Sequence, residues 1–415
     1  MEKGRKPLFH LCTNVATMGL KAELRERLAS MPGRPRRELV MKQLKSVLLV
    51  ALLVAGCATA QHEKKEQTVV FYPPPPLQPR LQFLHSITIE KDVGKARSRM
   101  EDFLLGKPEQ EKQIGKPYDI GSSRGRIYVL DRQFKKMLII DLKAKSFDYL
   151  RDQRLGELEE PSGIWVSSDD VKYVADMKRK QIVVFGPDDR FVKAYGGREL
   201  FDRPTDVAVF GDRIYVSDMN KNQVVVLDKP SGRVVQTIGQ LGTDEAHFYK
   251  PTHVVVDPRG NLFVNDAFNF RIQKFAPDGS FDRSFGVLGD TLGSFARPKG
   301  LAVDRDAHLY VADAAFENVQ IFDVRDGRLL LFMGGPGRKP GSMYLPAGVH
   351  IDYENVSFFE QFADKDFKVE YLLYVGNTFG ENKLNVYGFG EWIGPPLSAP
   401  SEPPADSADV RSQNK

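Results

Sequence analysis

A proline recurs along this 415-residue chain at positions 117, 161, 204, 251, 298 and 346, a nearly even spacing. Each opens an apolar run. The next run closes on an aromatic-Val-x-Asp/Asn: Tyr128 to Asp131, Tyr173 to Asp176, Tyr215 to Asp218, Phe263 to Asp266, Tyr310 to Asp313 and Tyr374 to Asn377. The unit from Pro298 to Gly334 shows the full pattern, with four short apolar runs parted by polar turns. Short Val-, Ile-, Tyr- and Phe-rich runs bounded by Asp-Gly turns read as strands, not helices. One four-stranded unit cannot bury both faces alone, so a period of roughly 40–50 residues demands neighbouring copies and predicts a β-propeller. Six anchors predict an all-β, six-bladed propeller of four-stranded antiparallel blades.

The linkers carry a second pattern. Gly286 to Gly289 leads through Phe295 to Pro298, and Gly239 to Gly242 through Phe248 to Pro251; Gly196-Gly197 with Phe201 and Gly334 to Gly337 are variants. Glycine permits the tight path from an outer to an inner strand, and the phenylalanine is placed to plug the gap between blades. On these motifs residues 81–390 resemble NHL repeats, and the whole resembles the six-bladed NHL-repeat propeller lipoproteins of bacteria. The sixth unit departs from the pattern, since an insertion at 353–370 intervenes before Tyr374. The resemblance implies the fold and a binding role.

The N-terminal region reads as an address. Lys42 and Lys45 precede the apolar run 47–55, and Val54-Ala55-Gly56-Cys57 resembles a lipobox. That run is too short for a bilayer core of about 30 Å, so residues 41–56 read as a lipoprotein signal peptide and Cys57 as the lipidated residue. Residues 1–40 are a doubtful extension ahead of a start at Met41. Ala58 after the cysteine favours, by resemblance to bacterial sorting rules, the outer membrane facing the periplasm. Residues 57–80 form a tether around Pro73 to Pro76, expected as an extended polyproline spacer. Removing residues 1–56, with their eleven Lys/Arg and four Glu, from the chain's 59 basic and 55 acidic residues leaves 48 and 51. No electrostatic case for nucleic acid remains. With Cys12 and Cys57 as the two cysteines, the domain has no disulfide and no thiol chemistry.

The sixth unit lacks a fourth strand after Leu384 to Tyr387. Leu81 to Ile89 alternates like a fourth strand and is expected to close the ring, removing open sheet edges. Residues 81–111 then hold this strand and a short amphipathic helix from Gly94 to Gly106; the propeller proper covers 112–394, and 395–415 is too poor in apolar residues to fold. Blade topology puts the start of the closing strand, with the tether, on the same face as the insertion 353–370. The prolines would lie opposite.

Candidate chemistry gathers at the inner-strand openings. Two positions after each proline stand Asp119, Gly163, Asp206, His253, Gly300 and Gly348, with Trp165 and His350 two further on. Asp119, Asp206, His253, His350 and Trp165 form a candidate ligand site at the channel mouth. Carboxylate and imidazole together bind a divalent cation or share a proton, or else cap strand ends. The repeated Asp131, Asp176, Asp218, Asp266 and Asp313 read as turn-fixing groups. Phe358, Phe359 and Phe362 share one helical face, either packed against the propeller or forming a partner patch. Amidating lyases, which this fold resembles, carry zinc histidines directly after the blade prolines; here those positions are Tyr118, Ser162, Thr205, Thr252, Lys299 and Ala347. Three readings result. The first is a membrane-anchored, non-catalytic binding scaffold for an envelope protein partner, with no cofactor. The second is a metal-dependent hydrolase or lyase with a divalent cation at the channel. The third is a small-ligand sensor using Trp165.

Overall fold

The computed structural model describes residues 69–94, 112–151 and 154–398. Residues 1–40, the signal segment 41–56, Cys57, the helix expected beyond Gly94 and the tail after 398 lie outside the described residues. Six antiparallel sheets are present, five of four strands and a sixth of five. The first strands run Pro117–Ser123, Pro161–Val166, Pro204–Phe210, Pro251–Val256, Pro298–Val303 and Pro346–Asp352, each opened by its anchor proline. Successive first strands pack against one another around a central channel, and the fold is a six-bladed propeller.

The two anchors prove to be cross-strand partners. Pro117 pairs with Asp131, Pro161 with Asp176, Pro204 with Asp218, Pro251 with Asp266, Pro298 with Asp313 and Pro346 with Asn377. In every blade the register slips directly after the proline. Proline has no N–H for the ladder and is confined to strand starts and bulges. A bulge re-aims the side chains beside it, so the residues one and two past each proline are turned toward the channel by the backbone itself.

The aspartates are turn fixers, as their repetition implied. The Asp313 carboxylate accepts N–H bonds from Ala296 and Arg297 of the preceding linker, at 2.8 and 3.0 Å, and from Ala315 and Phe316 of the following turn, at 2.9 and 3.2 Å. Asp131 and Asp176 make the same four-amide pattern. Phe201, Phe248 and Phe295 are fully buried plugs. Each sits against its glycine so closely that a Cβ on Gly196, Gly239 or Gly286 would lie 2.2–2.4 Å from the ring. In the sixth linker Met343 replaces phenylalanine and contacts Gly334 in the same way.

Ring closure follows the expected route. Leu81–Ile87 pairs with Leu384–Trp392 as the outer strand of the sixth blade, burying Leu81, Leu84 and Ile87. The proline tether differs from expectation. Phe71–Tyr72 adds a fifth strand antiparallel to the closing one, with Phe71 opposite Gln82 and Tyr72 opposite Leu81. Pro73 to Pro76 therefore make the turn of a hairpin folded onto the blade, not an extended spacer. The physical reason is aromatic burial: Phe71 packs on Phe367 and Trp392 at 5.9 and 5.5 Å.

The insertion holds the helical turn Val356–Phe359 and a 3-10 turn at Glu360–Phe362. Its three phenylalanines do not make an exposed patch. Phe359 is buried and, with Phe358 and Phe362, packs on the apolar cluster joining the sixth and first blades. Phe362 stacks on His85 of the closing strand at 4.5 Å, and the Asp364 N–H donates to Gln82 at 2.9 Å. The insertion clamps the ring's seam. It meets the start of the closing strand on the face away from the prolines, as the topology required.

Candidate functional site

The bulge after each proline builds the channel wall. Asp119 and Asp206 use it to reach the next blade: Asp119 Oδ2 accepts the Ile164 N–H at 2.7 Å, and Asp206 Oδ2 accepts the Val254 N–H at 2.8 Å. Asp206 Oδ1 also takes the Val207 N–H at 2.8 Å. The glycines at the same position are small because a neighbour fills the space. A Cβ on Gly163 would stand 2.2 Å from Asp206 Oδ1, and one on Gly348 2.8 Å from the Asp119 Cα. Both acids thus clip blades together.

Asp119, Trp165, Asp206, His253 and His350 all line one channel cavity of about 160 Å³ whose other walls are mostly Ile, Val, Leu and Ala. They stand at two depths. Asp119, Asp206 and His253 ring the channel nearer the prolines; Trp165 and His350 stand deeper along the strands. The His350 ring is hydrogen-bonded to Ser122 at 2.8 Å, and Trp165 packs edge-on to Tyr173 at 5.7 Å. His253 Nδ1 meets Thr252 Oγ1 at 3.1 Å, while its Nε2 is buried without a partner. Burial, then the charges of Lys299 and Arg132, drives the His253 pKa down to about 3. A neutral imidazole with a bare nitrogen is the chemically open group of this cavity.

Burial raises Asp119 to about 7, against the pull of the Ile164 and Ile120 amides. Asp206 is raised well above the carboxylate range by burial and then by the charge of Asp119. An acid raised from about 3.9 unfolded to about 7 folded favours folding fully below pH 4, and that contribution is lost as pH rises through 7. A rise of that size corresponds to at most about 4 kcal/mol. The Asp119→Asn variant is therefore expected to gain stability relative to the wild type by up to that amount between pH 4 and pH 8. Denaturant melts at both pH values check this; parallel pH profiles for the two proteins would sink it.

A second cavity, of about 300 Å³, opens on the proline face between the fifth, sixth and first blades. Lys116, Arg132, Arg297 and Lys299 line it with Tyr118, Phe379, Pro117, Ala314, Leu345, Pro346, Ala347 and Thr378. No carboxylate lines it. Tyr118 joins it to the channel, stacking on His253 at 5.7 Å with a 27° tilt. The Arg132 guanidinium lies 4.6 Å from the same ring. Glu160 serves Arg132 and Arg203 alike, each at 3.1 Å. Sequence reading missed these cations. The signal was there in the basic residues flanking the anchors: Lys116, Arg203, Lys250 and Arg297 before a proline, Lys299 after one. Two larger grooves, of about 940 and 840 Å³, lie away from the channel along the linker between the first and second blades, bordered by exposed Arg151, Arg154 and Leu155.

Fold and channel define a six-bladed β-propeller whose candidate chemistry gathers on its proline face and in its channel. No family model matches the chain. Part of it is similar to amidating enzymes: 31% identical over 109 residues to a probable peptidyl-α-hydroxyglycine α-amidating lyase of Caenorhabditis elegans, and 35% over 107 residues to peptidylglycine α-amidating monooxygenase of Rattus norvegicus. Those stretches cover 25% and 24% of this chain, and 31% and 11% of the relatives. A solved protein of unknown function from Bacteroides thetaiotaomicron superposes with a TM-score of 0.50 at 17% identity, over 66% of this chain and 70% of its own. That likeness concerns the fold. Of the residues directly after the prolines, Thr205 bonds Ser217 at 2.8 Å and Thr252 accepts from Asn265 at 3.0 Å, so both serve the channel wall. Among the described residues no three His, Cys, Asp or Glu side chains are gathered so as to hold a metal ion.

Proposed function

We propose that this chain is a lipid-anchored propeller of the bacterial cell envelope, of the NHL-repeat lipoprotein kind, that binds rather than transforms its partner. One observation carries the reading. The channel acids that offered catalysis are engaged as inter-blade clips, Asp119 on Ile164 and Asp206 on Val254, while the proline face keeps an open cavity walled by cations and aromatics. General acid–base chemistry needs groups free to move a proton to a substrate atom; binding needs a shaped, mostly apolar recess with a few placed polar groups. The proline face meets the second requirement. Lipid attachment at Cys57 would tether the domain at a membrane, and an outer-membrane, periplasm-facing site is the placement this reading adopts. The partial similarity to amidating enzymes keeps a lyase as the second reading, and His253 would be its base.

The test is twofold. Radiolabelled palmitate is expected in the wild type and absent from Cys57→Ala. Purified protein is expected to show no turnover of α-hydroxyglycine peptides. Turnover that vanishes in His253→Ala, or a wild type that takes up no lipid, counts against the reading.

A further inference from the structure

We infer that the proline-face cavity binds a small organic anion, one carrying a carboxylate or phosphate on a flat apolar body. The inference rests on the reading that this face is the working surface, and it names what that surface recognises. Four cations line about 300 Å³ with no acid among the lining residues. Arg132 has Glu160, which it shares with Arg203. Among the described residues no carboxylate lies within ion-pair distance of Lys116, Arg297 or Lys299. Lys299 is half-buried and lies 6.0 Å from the Tyr118 ring; Lys116 lies 5.3 Å from the ring of Phe379.

Crowding like charges into a recess disfavours the folded state unless a counter-charge arrives. The strain is visible at Lys299, whose pKa falls to about 8 through burial and then the charges of Arg297 and Arg132. An anion bound there would offset the crowded charge, keep the Lys299 ammonium protonated to higher pH, and be held by guanidiniums suited to bidentate contact with planar oxyanions. Apart from Thr378 the rest of the wall is apolar or aromatic: Pro117, Ala314, Leu345, Pro346 and Ala347, with Tyr118 and Phe379 as the aromatic members. Such walls suit a flat body more than a bare inorganic ion. The volume suits a molecule of about ten heavy atoms, near the lower end of ordinary ligand sites.

The probes are phenyl phosphate and phthalate, with benzyl alcohol as the neutral control, titrated calorimetrically into the full chain in detergent at 50 mM NaCl. Either anion is expected to bind with Kd below about 1 mM, and which of them binds more tightly distinguishes a phosphate from a carboxylate ligand. Benzyl alcohol is expected to bind at least tenfold more weakly. Arg297→Gln with Lys299→Gln should weaken the anion at least tenfold. Ala347→Glu, which places a carboxylate in the recess, should do the same if the double variant is unstable. Raising pH from 7 to 9.5 should weaken wild-type binding about tenfold and Lys299→Arg at least threefold less, the remaining fall in that variant coming from Asp119 and Asp206 behind Tyr118. The other groups facing the recess are Lys116, Arg132, Arg297 and Tyr118, with Glu160 and Arg203 beyond and His253, Asp119 and Asp206 behind the Tyr118 ring. The arginines stay charged throughout, burial raises the Tyr118 hydroxyl, and burial keeps the His253 imidazole neutral across the range. No binding of either anion at 10 mM, or equal binding in the double variant and in Ala347→Glu, overturns the site. An envelope partner retained by a chain that binds neither probe removes the anion and leaves the scaffold; channel turnover with anion binding intact does the reverse.

Discussion

A chain begun at Gly94, lacking the closing strand, is expected to fail as a soluble monomer. Leu81, Leu84 and Ile87 are buried by closure at 0%, 4% and 1% exposure. Each fully buried side chain of this size contributes about 1.5–3 kcal/mol, so the three together reach roughly 5–9 kcal/mol, an upper figure that still rivals a domain's whole net stability of about 5–15 kcal/mol. The loss does more than leave a cavity. It uncovers Leu384–Trp392, a long strand rich in aromatics, as an open edge able to pair with another chain. Size-exclusion chromatography of the truncated chain should show aggregate, and adding a peptide spanning residues 69–94 should restore monomer. A truncated chain that stays monomeric and melts like the full one would mean that the ring closes by some other contact.

Gly300→Ala is expected to be among the most damaging single substitutions in the ring. Its Cβ would stand 2.4 Å from the Ala347 carbonyl oxygen and 2.7 Å from the Val349 nitrogen. Both are backbone of the next blade, so no side chain can swing away and the fifth and sixth blades must part. Overpacking of this kind costs about 1–3 kcal/mol, with the upper end expected where only backbone can yield, and in a domain of this size about 3 kcal/mol lowers Tm by about 5 °C. Gly186→Ala is the control. Its Cβ would meet chiefly the Asp188 and Val192 side chains, at 3.1 and 3.4 Å, and a change within about 0.5 kcal/mol is expected. Equal melting of the two variants would show that the blades are not in rigid contact at the channel. Gly300 also sits beside Lys299, so its variant should lose anion binding along with stability, while Gly186→Ala keeps both.

Much of this architecture was legible because it repeats. A proline that cannot donate and an acid that fixes the turn beside it are constraints of backbone chemistry that recur from blade to blade, with four amides on Asp131, Asp176 and Asp313, three on Asp218, and side-chain donors beside a single amide on Asp266. That is why Pro298 and Asp313 stood out as recurring anchors by spacing, and why Leu81 to Ile89 could be assigned to the one blade lacking a fourth strand. The tether was misread for the opposite reason. Four consecutive prolines favour an extended chain locally, but Phe71 had Phe367 and Trp392 to pack against, at the far end of the propeller sequence. The phenylalanines of the insertion raised the same difficulty: helical spacing put them on one face, and only the seam between the sixth and first blades decided what that face would meet.

The site divided along the same line. Asp119, Asp206 and His253 were visible as polar residues at one repeated position, yet their roles depend on the neighbouring blade. Asp119 is a clip because the Ile164 N–H arrives beside it, and His253 is bare at Nε2 because nothing arrives. Lys116, Arg132, Arg297 and Lys299 each flank an anchor, but nothing along the chain says that these four share one recess, since two come from the first blade and two from the fifth, with three whole blades of sequence between them. Local backbone preference and period, which need only neighbours in sequence, settled the number of blades and their strands. Which cations share a recess, which acids lose their freedom and which aromatics leave the surface were settled by packing between distant segments, because burial and charge depend on what fills the space around a group and not on what precedes it in the chain.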